Sequence, residues 1–297
     1  MATLKEIKLK IKSVSNIKKI TKTMEMVSVS KMKRSTGRAQ ASKEYAVRAL
    51  QLLANLSLER NVDHELLEPG AGEKMLLVIV GSNKGLCGGF NTNLSRQVSQ
   101  MVKAGGKTIE TVTIGKQAEK IARRFDLPIV ASFIEFNEKS SSDDLLVLKE
   151  ILMEKMATGD YAESLVLYTE FKSAVSYEPL TIQILPPNIQ TLKSLFVTTK
   201  EEEEKFNHEI KSLSRYVIEP NPEEVISKVV PELVHASLFH AFLESQASEH
   251  SARMFAMKNA SDNASGMVDD LTLQFNKARQ AAITQEISEI VSGAAAV

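Results

Sequence analysis

The sequence predicts an α/β fold plus long helices, an antiparallel coiled coil of N- and C-terminal helices with an inserted α/β domain. Three observations carry this. Glu232 to Ser292 contains no proline and one glycine, Gly266. Thr3 to Glu59 is likewise free of proline, with Gly37 its one glycine. Between these two stretches the apolar pattern changes from a helical period to short continuous runs that read as strands. A helix over 232–292 would be about 90 Å long at 1.5 Å per residue, so its apolar side needs a partner of similar reach. The other end of the chain is the comparable segment.

The N-terminal segment carries Leu4, Ile7, Ile11, Val14, Ile17, Ile20, Met24 and Val27 at steps of three and four. That is the stripe of an amphipathic helix, narrow enough for a two-helix seam. Its other faces are basic. Ten cations, Lys5, Lys8, Lys10, Lys12, Lys18, Lys19, Lys22, Lys31, Lys33 and Arg34, stand against Glu6 and Glu25. A solvated face mixes signs, so this imbalance calls for an acidic partner, with a lysine-rich soluble face as the plainer alternative.

The chain therefore divides into a coiled-coil helix over 1–60, a linker over 61–74 marked by Pro69, Gly70 and Gly72, an α/β domain over 75–205 and a C-terminal helical region over 206–297. Met75 to Val80 is a short apolar run ended by Gly81, as suits a buried parallel strand. Residues 111–114, 129–134 and 164–168 look similar. Helical segments alternate with them at 93–103, 116–125 and 143–157, the last with Ser142 as its expected N-cap. Alternation of this kind predicts a Rossmann-like, mainly parallel sheet, with 173–185 as a hairpin edge. Glu201 to Glu204 reads as a solvated helix start, and helical pattern resumes after Pro220 and Pro222, with Pro231 as a kink. In the long C-terminal helix Ala241, Ala252, Ala256, Ala260 and Ala264 are the expected inward positions, Met254, Met257 and Met267 are expected core, and the last turns carry few large side chains beyond Ile283, Ile287 and Ile290.

Composition excludes several classes. With 5% aromatic residues and no Trp, a stacking surface for single-stranded nucleic acid is disfavoured. The single cysteine, Cys87, permits no intramolecular disulfide and no all-cysteine metal cluster, which points to a reducing compartment. No run of 18 apolar residues is present, and Lys8, Lys10 and Lys12 break the start that a secretory signal would need. Gly81-Ser-Asn-Lys-Gly85-Leu-Cys-Gly88-Gly89 lies between a strand and a helix, where phosphate loops sit. It lacks the Gly-Lys-Ser/Thr ending and the Gly-x-Gly-x-x-Gly spacing, so it reads first as a tight corner or a protein contact. The histidines of the C-terminal region, His235, His240 and His250, are spaced by five and ten, unsuited to a metal pair on one helix face. No catalytic residue, metal ligand or cofactor is expected.

Four motifs, in the same order and over essentially the whole length, carry a resemblance: Ile17 to Val27 with Ser30-Lys-Met-Lys33, then Gly81 to Asn91, then Arg253 to Lys258 with Ser261 to Ala264, and Asn276 to Glu286. Together they resemble the gamma subunit of the rotary ATP synthase. The resemblance implies a non-catalytic central shaft turning inside three alpha and three beta subunits, with the epsilon subunit and the membrane rotor ring of c subunits below. It implies coupling of proton or sodium flow to ATP synthesis and hydrolysis, at the cytoplasmic face of a cell inner membrane. Carried over by position, Arg279 and Gln280 match a pair that contacts a beta-subunit loop, and Lys84, Lys31, Lys33 and Arg34 would face beta as well. Met24, Glu249, Arg253 and Thr284 fall in the region whose packing governs coupling, and Tyr216 and Glu219 match the foot on the ring. Where the family usually carries Asp-Arg in the glycine turn, this chain has Asn83-Lys84; the lysine keeps the positive charge of the arginine and loses the guanidinium fork. Two other readings compete: a coiled-coil scaffold bound to a membrane surface by its basic face, and an α/β enzyme using the glycine turn.

Overall fold

The computed structural model describes residues 3–59, 64–197, 199–213 and 217–294. It divides into two compact units, one of Met1–Val29 with Arg253–Val297 and one of Ser30–Ala252. Two helices, α1 (Leu4–Ala54) and α7 (Pro222–Ala294), each contribute residues to both units.

The larger unit is built on a five-stranded sheet of β1 (Lys74–Val80), β2 (Thr108–Ile114), β3 (Ile129–Phe133), β4 (Tyr161–Ser173) and β5 (Ser176–Leu185) in the order β3-β2-β1-β4-β5. The β1–β2, β1–β4 and β2–β3 pairings are parallel, and β4–β5 is the antiparallel hairpin edge. Strand β1 shows why the apolar run at 75–80 makes a central strand. Leu76, Val78 and Val80 point into one core, and Leu77 and Ile79 into the other. The first core is closed by α4 (Leu146–Ala157), α5 (Ile189–Phe196), α6 (Lys200–Leu213) and the apolar sides of α1 and α7, through Leu50, Leu53, Leu148, Phe196, Phe206, Leu233 and Phe242. The second is closed by α2 (Phe90–Ala104) and α3 (Lys116–Arg124), through Leu94, Val98, Ala118 and Ile121.

The glycines of the expected linker sit against the sheet. Gly70 donates to the Ala162 carbonyl (3.1 Å), and a Cβ on Gly72 would lie 2.0 Å from the Asp160 carbonyl. Gly115, at φ +90°, closes β2 against the end of β1, where a Cβ would meet the Gly81 carbonyl oxygen at 2.5 Å. At the opposite end of the strands the Tyr161 hydroxyl donates to Glu110 (2.6 Å), which Lys74 also holds (2.9 Å). Burial first, then the Glu110 carboxylate, pushes the phenol up to about 12.

Several local expectations change. Helix α1 gives way at Asn55 to a wider turn, and the buried Asn55 side chain donates to the Ile210 carbonyl (2.9 Å). Ser142 does not cap: its backbone is already helical, and its hydroxyl lies 2.7 Å from His235 Nε2. Helix α7 begins ten residues before Glu232. Asn221 accepts from the Glu224 amide (2.8 Å) as the N-cap and Pro222 occupies the first position, where its missing N–H costs nothing. Pro231 lies inside the continuous helix.

In the smaller unit the start of α1 and the end of α7 pair as an antiparallel coiled coil, with Lys18 Nζ donating to Ser265 Oγ (3.0 Å). On α7 Met257, Ser261, Ala264, Val268, Leu271, Phe275, Ala278 and Ala282 are covered, in alternating steps of four and three, with Ala260 and Ser265 half-buried beside them. Ala264 is buried as expected, whereas Met267 is 54% exposed, so it is not a core position. On α1 the seam runs through Ile7, Ile11 and Val14 and then through Thr21 and Ser28. Past Val14 the expected stripe departs from this seam at every position but Met24, which stays half-buried. Ile17, Ile20 and Val27 are 50%, 59% and 49% exposed. At about 100° of rotation per residue, steps of three carry those side chains round the helix and away from the partner.

Candidate functional site

The glycine turn is a corner whose polar atoms hold its own backbone. After β1, Gly81 donates to the Ile114 carbonyl (2.9 Å) and the chain turns back on itself. The buried Ser82 hydroxyl donates to the Lys84 carbonyl (2.9 Å), and Asn91 Nδ2 reaches Ser82 Oγ (2.8 Å) and Cys87 Sγ (3.2 Å). Cys87 is 3% exposed, the small buried thiol its setting predicts. Asn83 Oδ1 accepts from the Lys116 amide (3.0 Å), and its Nδ2 donates to the Phe136 carbonyl (2.9 Å). A carboxylate at this position could accept the first bond and could not donate the second, so the Asn is fitted to its loop. Lys84 and Leu86 stand exposed at the tip, Leu86 at φ +61°.

The basic residues of α1 separate into two groups. Lys33 and Arg34 are exposed. Lys31, expected to face another subunit, forms an ion pair with Glu138 of this chain, at 34% and 26% side-chain exposure. Burial acts to raise the Glu138 carboxyl, yet the Lys31 bond, a backbone amide and the charges of Lys31 and His250 together hold it below the ordinary carboxylate value. Arg38, seven residues on and so on the same helix face, donates to the carbonyls of Glu138 (2.8 Å) and Ser140 (2.5 Å) and lies 5.6 Å over the Phe239 ring. Sequence reasoning missed Arg38 and Glu138, because their partners lie about a hundred residues away and no local pattern marks them.

Near the end of α7, Arg279 and Gln280 are exposed between the seam residues Ala278 and Ala282, and Thr284 Oγ1 donates to the Gln280 carbonyl of its own helix (2.9 Å). From Ile283 to Ser292 every side chain is exposed. Met24 and Glu249 are half-buried, and Arg253 is 8% exposed. Glu219 is exposed, and Tyr216 lies outside the described residues. Among the described residues no three His, Cys, Asp or Glu side chains are grouped to hold a metal ion, and no helix is long and apolar enough to cross a membrane.

An α/β body inserted in the chain between two terminal helices that pair with each other, with polar side chains engaged in bracing backbone, defines a class of long-helix protein with an inserted α/β domain. The family profile described as ATP synthase matches residues 3–297. The ATP synthase gamma chain of Verminephrobacter eiseniae is 39% identical over 300 residues, covering 100% of this chain and 99% of that one. That of Janthinobacterium sp. is 38% identical over 303 residues, covering all of both. The chain belongs to the ATP synthase gamma chain family. Among solved structures, a chain of the Tetrahymena thermophila mitochondrial ATP synthase central stalk and c-ring is similar, with 25% identity, a TM-score of 0.58, and 82% of this chain and 99% of that chain covered. A chain of the Euglena gracilis mitochondrial ATP synthase shares the fold at 18% identity and a TM-score of 0.65, covering 99% of this chain and 94% of that chain.

Proposed function

We propose that this chain is the central rotor shaft of an ATP synthase, carrying torque between an ion-driven membrane ring and the catalytic subunits and forming no bonds itself. The full-length match to gamma chains is the observation that carries this reading. The paired terminal helices supply a stiff element, and the exposed Ile17, Ile20 and Val27 supply an apolar surface beside a basic one for the surrounding alpha and beta subunits. Arg279 and Gln280, with Lys84, Lys33 and Arg34, are the proposed beta contacts. Each is exposed, and an Arg forked onto a carboxylate makes a strong, directional catch. Met24, Glu249, Arg253 and Thr284 are the proposed coupling region. Tyr216 and Glu219 are the proposed foot on the ring of c subunits, beside epsilon. The subunit acts by differential contact: its asymmetric surface favours different conformations in the three beta subunits as it turns. It is held to the membrane through the complex, and the cytoplasmic face is the side proposed.

Replacing Arg279 by Ala in the assembled complex tests the contact set. ATP turnover is expected to slow while nucleotide binding by beta is unchanged. Unchanged turnover refutes the role of Arg279. Recovery of the chain alone, without alpha and beta, from membranes washed at low salt refutes the shaft.

A further inference from the structure

The loop from Glu135 to Ser142, between β3 and the turn that opens α4, touches four separate elements of the larger unit. Lys31 and Arg38 hold it from α1, at the Glu138 carboxylate and at the Glu138 and Ser140 carbonyls. Asn83 of the glycine turn donates to Phe136 O (2.9 Å). The Phe136 ring stacks on Phe133 of β3 (4.9 Å) and meets Phe242 of α7 edge-on (6.1 Å), and Ser142 reaches His235 of α7. The loop also orders itself. The Asn137 amide donates to Ser140 Oγ (3.0 Å), and the Lys139 amide to Asn137 Oδ1 (2.9 Å). One peptide segment thus joins the face of α1 that bears Lys31 to the turn that bears Lys84.

We propose that Lys31 and Arg38 are positioning residues: they grip the 135–142 loop, which sets the glycine turn and its Lys84 relative to α1. Lys31 on this reading acts inside the chain, through Glu138, and not by touching a neighbouring subunit. The ion pair is half-buried and reinforced by two charge-assisted bonds from Arg38 to carbonyls, so its geometry is fixed in a way that an isolated surface pair is not. Arg38 gives each carbonyl its own guanidinium nitrogen in a fixed planar fork, an orientation that the freely rotating ammonium of a lysine does not set. A shaft that passes torque to its partners needs its contact loops held at constant angle. The inference rests on the shaft reading for that need, and on the contacts alone for the bracket.

Charge reversal separates the two roles of Lys31. In inverted membrane vesicles bearing the assembled complex, ATP-driven ion uptake is measured per ATP hydrolysed for Lys31→Glu, Glu138→Lys and the double exchange. Each single reversal is expected to lower the ratio about threefold or more, and the double exchange to restore most of it, as for residues in one network. A double exchange no better than Lys31→Glu alone would overturn the bracket, because a lysine serving another subunit cannot be rescued by Glu138. If the reversals prevent assembly, Lys31→Met and Glu138→Gln take their place. A double variant no worse than either single supports the pair, and additive losses overturn it. A wild-type complex lacking this chain would overturn the shaft reading, whereas a coupled wild type with an unrescued exchange overturns the bracket alone.

Discussion

Replacing Ile17, Ile20 and Val27 together by Gln tests what the outward stripe of α1 is for. Full burial of an aliphatic side chain of this size is worth about 1.5–3 kcal/mol. The three are 50%, 59% and 49% exposed in the chain by itself, so roughly half of that value is still available at each when another surface covers them. The sum is about 2–4 kcal/mol, a ~30- to 1000-fold weakening of assembly. The same substitutions should hardly disturb the chain itself, since exposed positions away from caps and ion networks change stability by about 0.5 kcal/mol or less, and Gln is a good helix former. The assay titrates purified chain into alpha and beta subunits and reads recovered ATPase activity, with far-ultraviolet circular dichroism as the control on folding. A triple variant that retains its helix content and reconstitutes at the wild-type concentration would refute the reasoning, because the stripe would then face water in the complex too.

Two further outcomes concern the body. Gly115→Ala should destabilise by about 2–5 kcal/mol, combining a backbone region almost closed to other residues with a clash at 2.5 Å from the Gly81 carbonyl oxygen. Urea unfolding checks this, and a midpoint within error of wild type would contradict it. Tyr161 keeps its phenol protonated up to about 12, so its contribution is fully present below its ordinary value of 10 and is lost as pH rises from 10 through 12. The thermal midpoint of wild type should therefore exceed that of Tyr161→Phe at pH 9 by a margin that shrinks towards pH 12. A constant margin would mean that neither burial nor the Glu110 carboxylate raises the phenol in the folded chain.

Much of the fold could be read along the chain because its signals are local. The run from Met75 to Val80 is apolar at every position since β1 is buried on both faces, and the β4–β5 hairpin follows from two strand-like stretches in close succession. Reading large apolar residues as the seam failed beyond Val14 for a physical reason. The fully buried positions there are Thr21 and Ser28, small and polar, with Met24 half-buried between them, while Ile17, Ile20 and Val27 turn outward. Hydrophobicity marks what prefers to leave water, and that includes surfaces awaiting another subunit. Ser142 looked like a cap because Ser is common there, but His235, 93 residues away, competes for its hydroxyl. Lys31 was legible as a cation in a basic run; that its counter-charge is Glu138 depends on the whole α/β body bringing the two together.

The seam hydroxyls have one more bearing on how such a helix pair responds to load. Thr21 Oγ1 donates to the carbonyls of Ile17 and Lys18, and Ser28 Oγ to that of Met24, all on the same helix. These two buried hydroxyls are thus satisfied without help from across the interface. When one helix twists slightly against the other, these two hydroxyls give up nothing, and resistance comes from the apolar packing of residues such as Ile7, Met257, Leu271 and Phe275 and from the Lys18–Ser265 bond. Strain of this sort spreads evenly along the pair, as in a spring, instead of concentrating at one joint that must break and re-form.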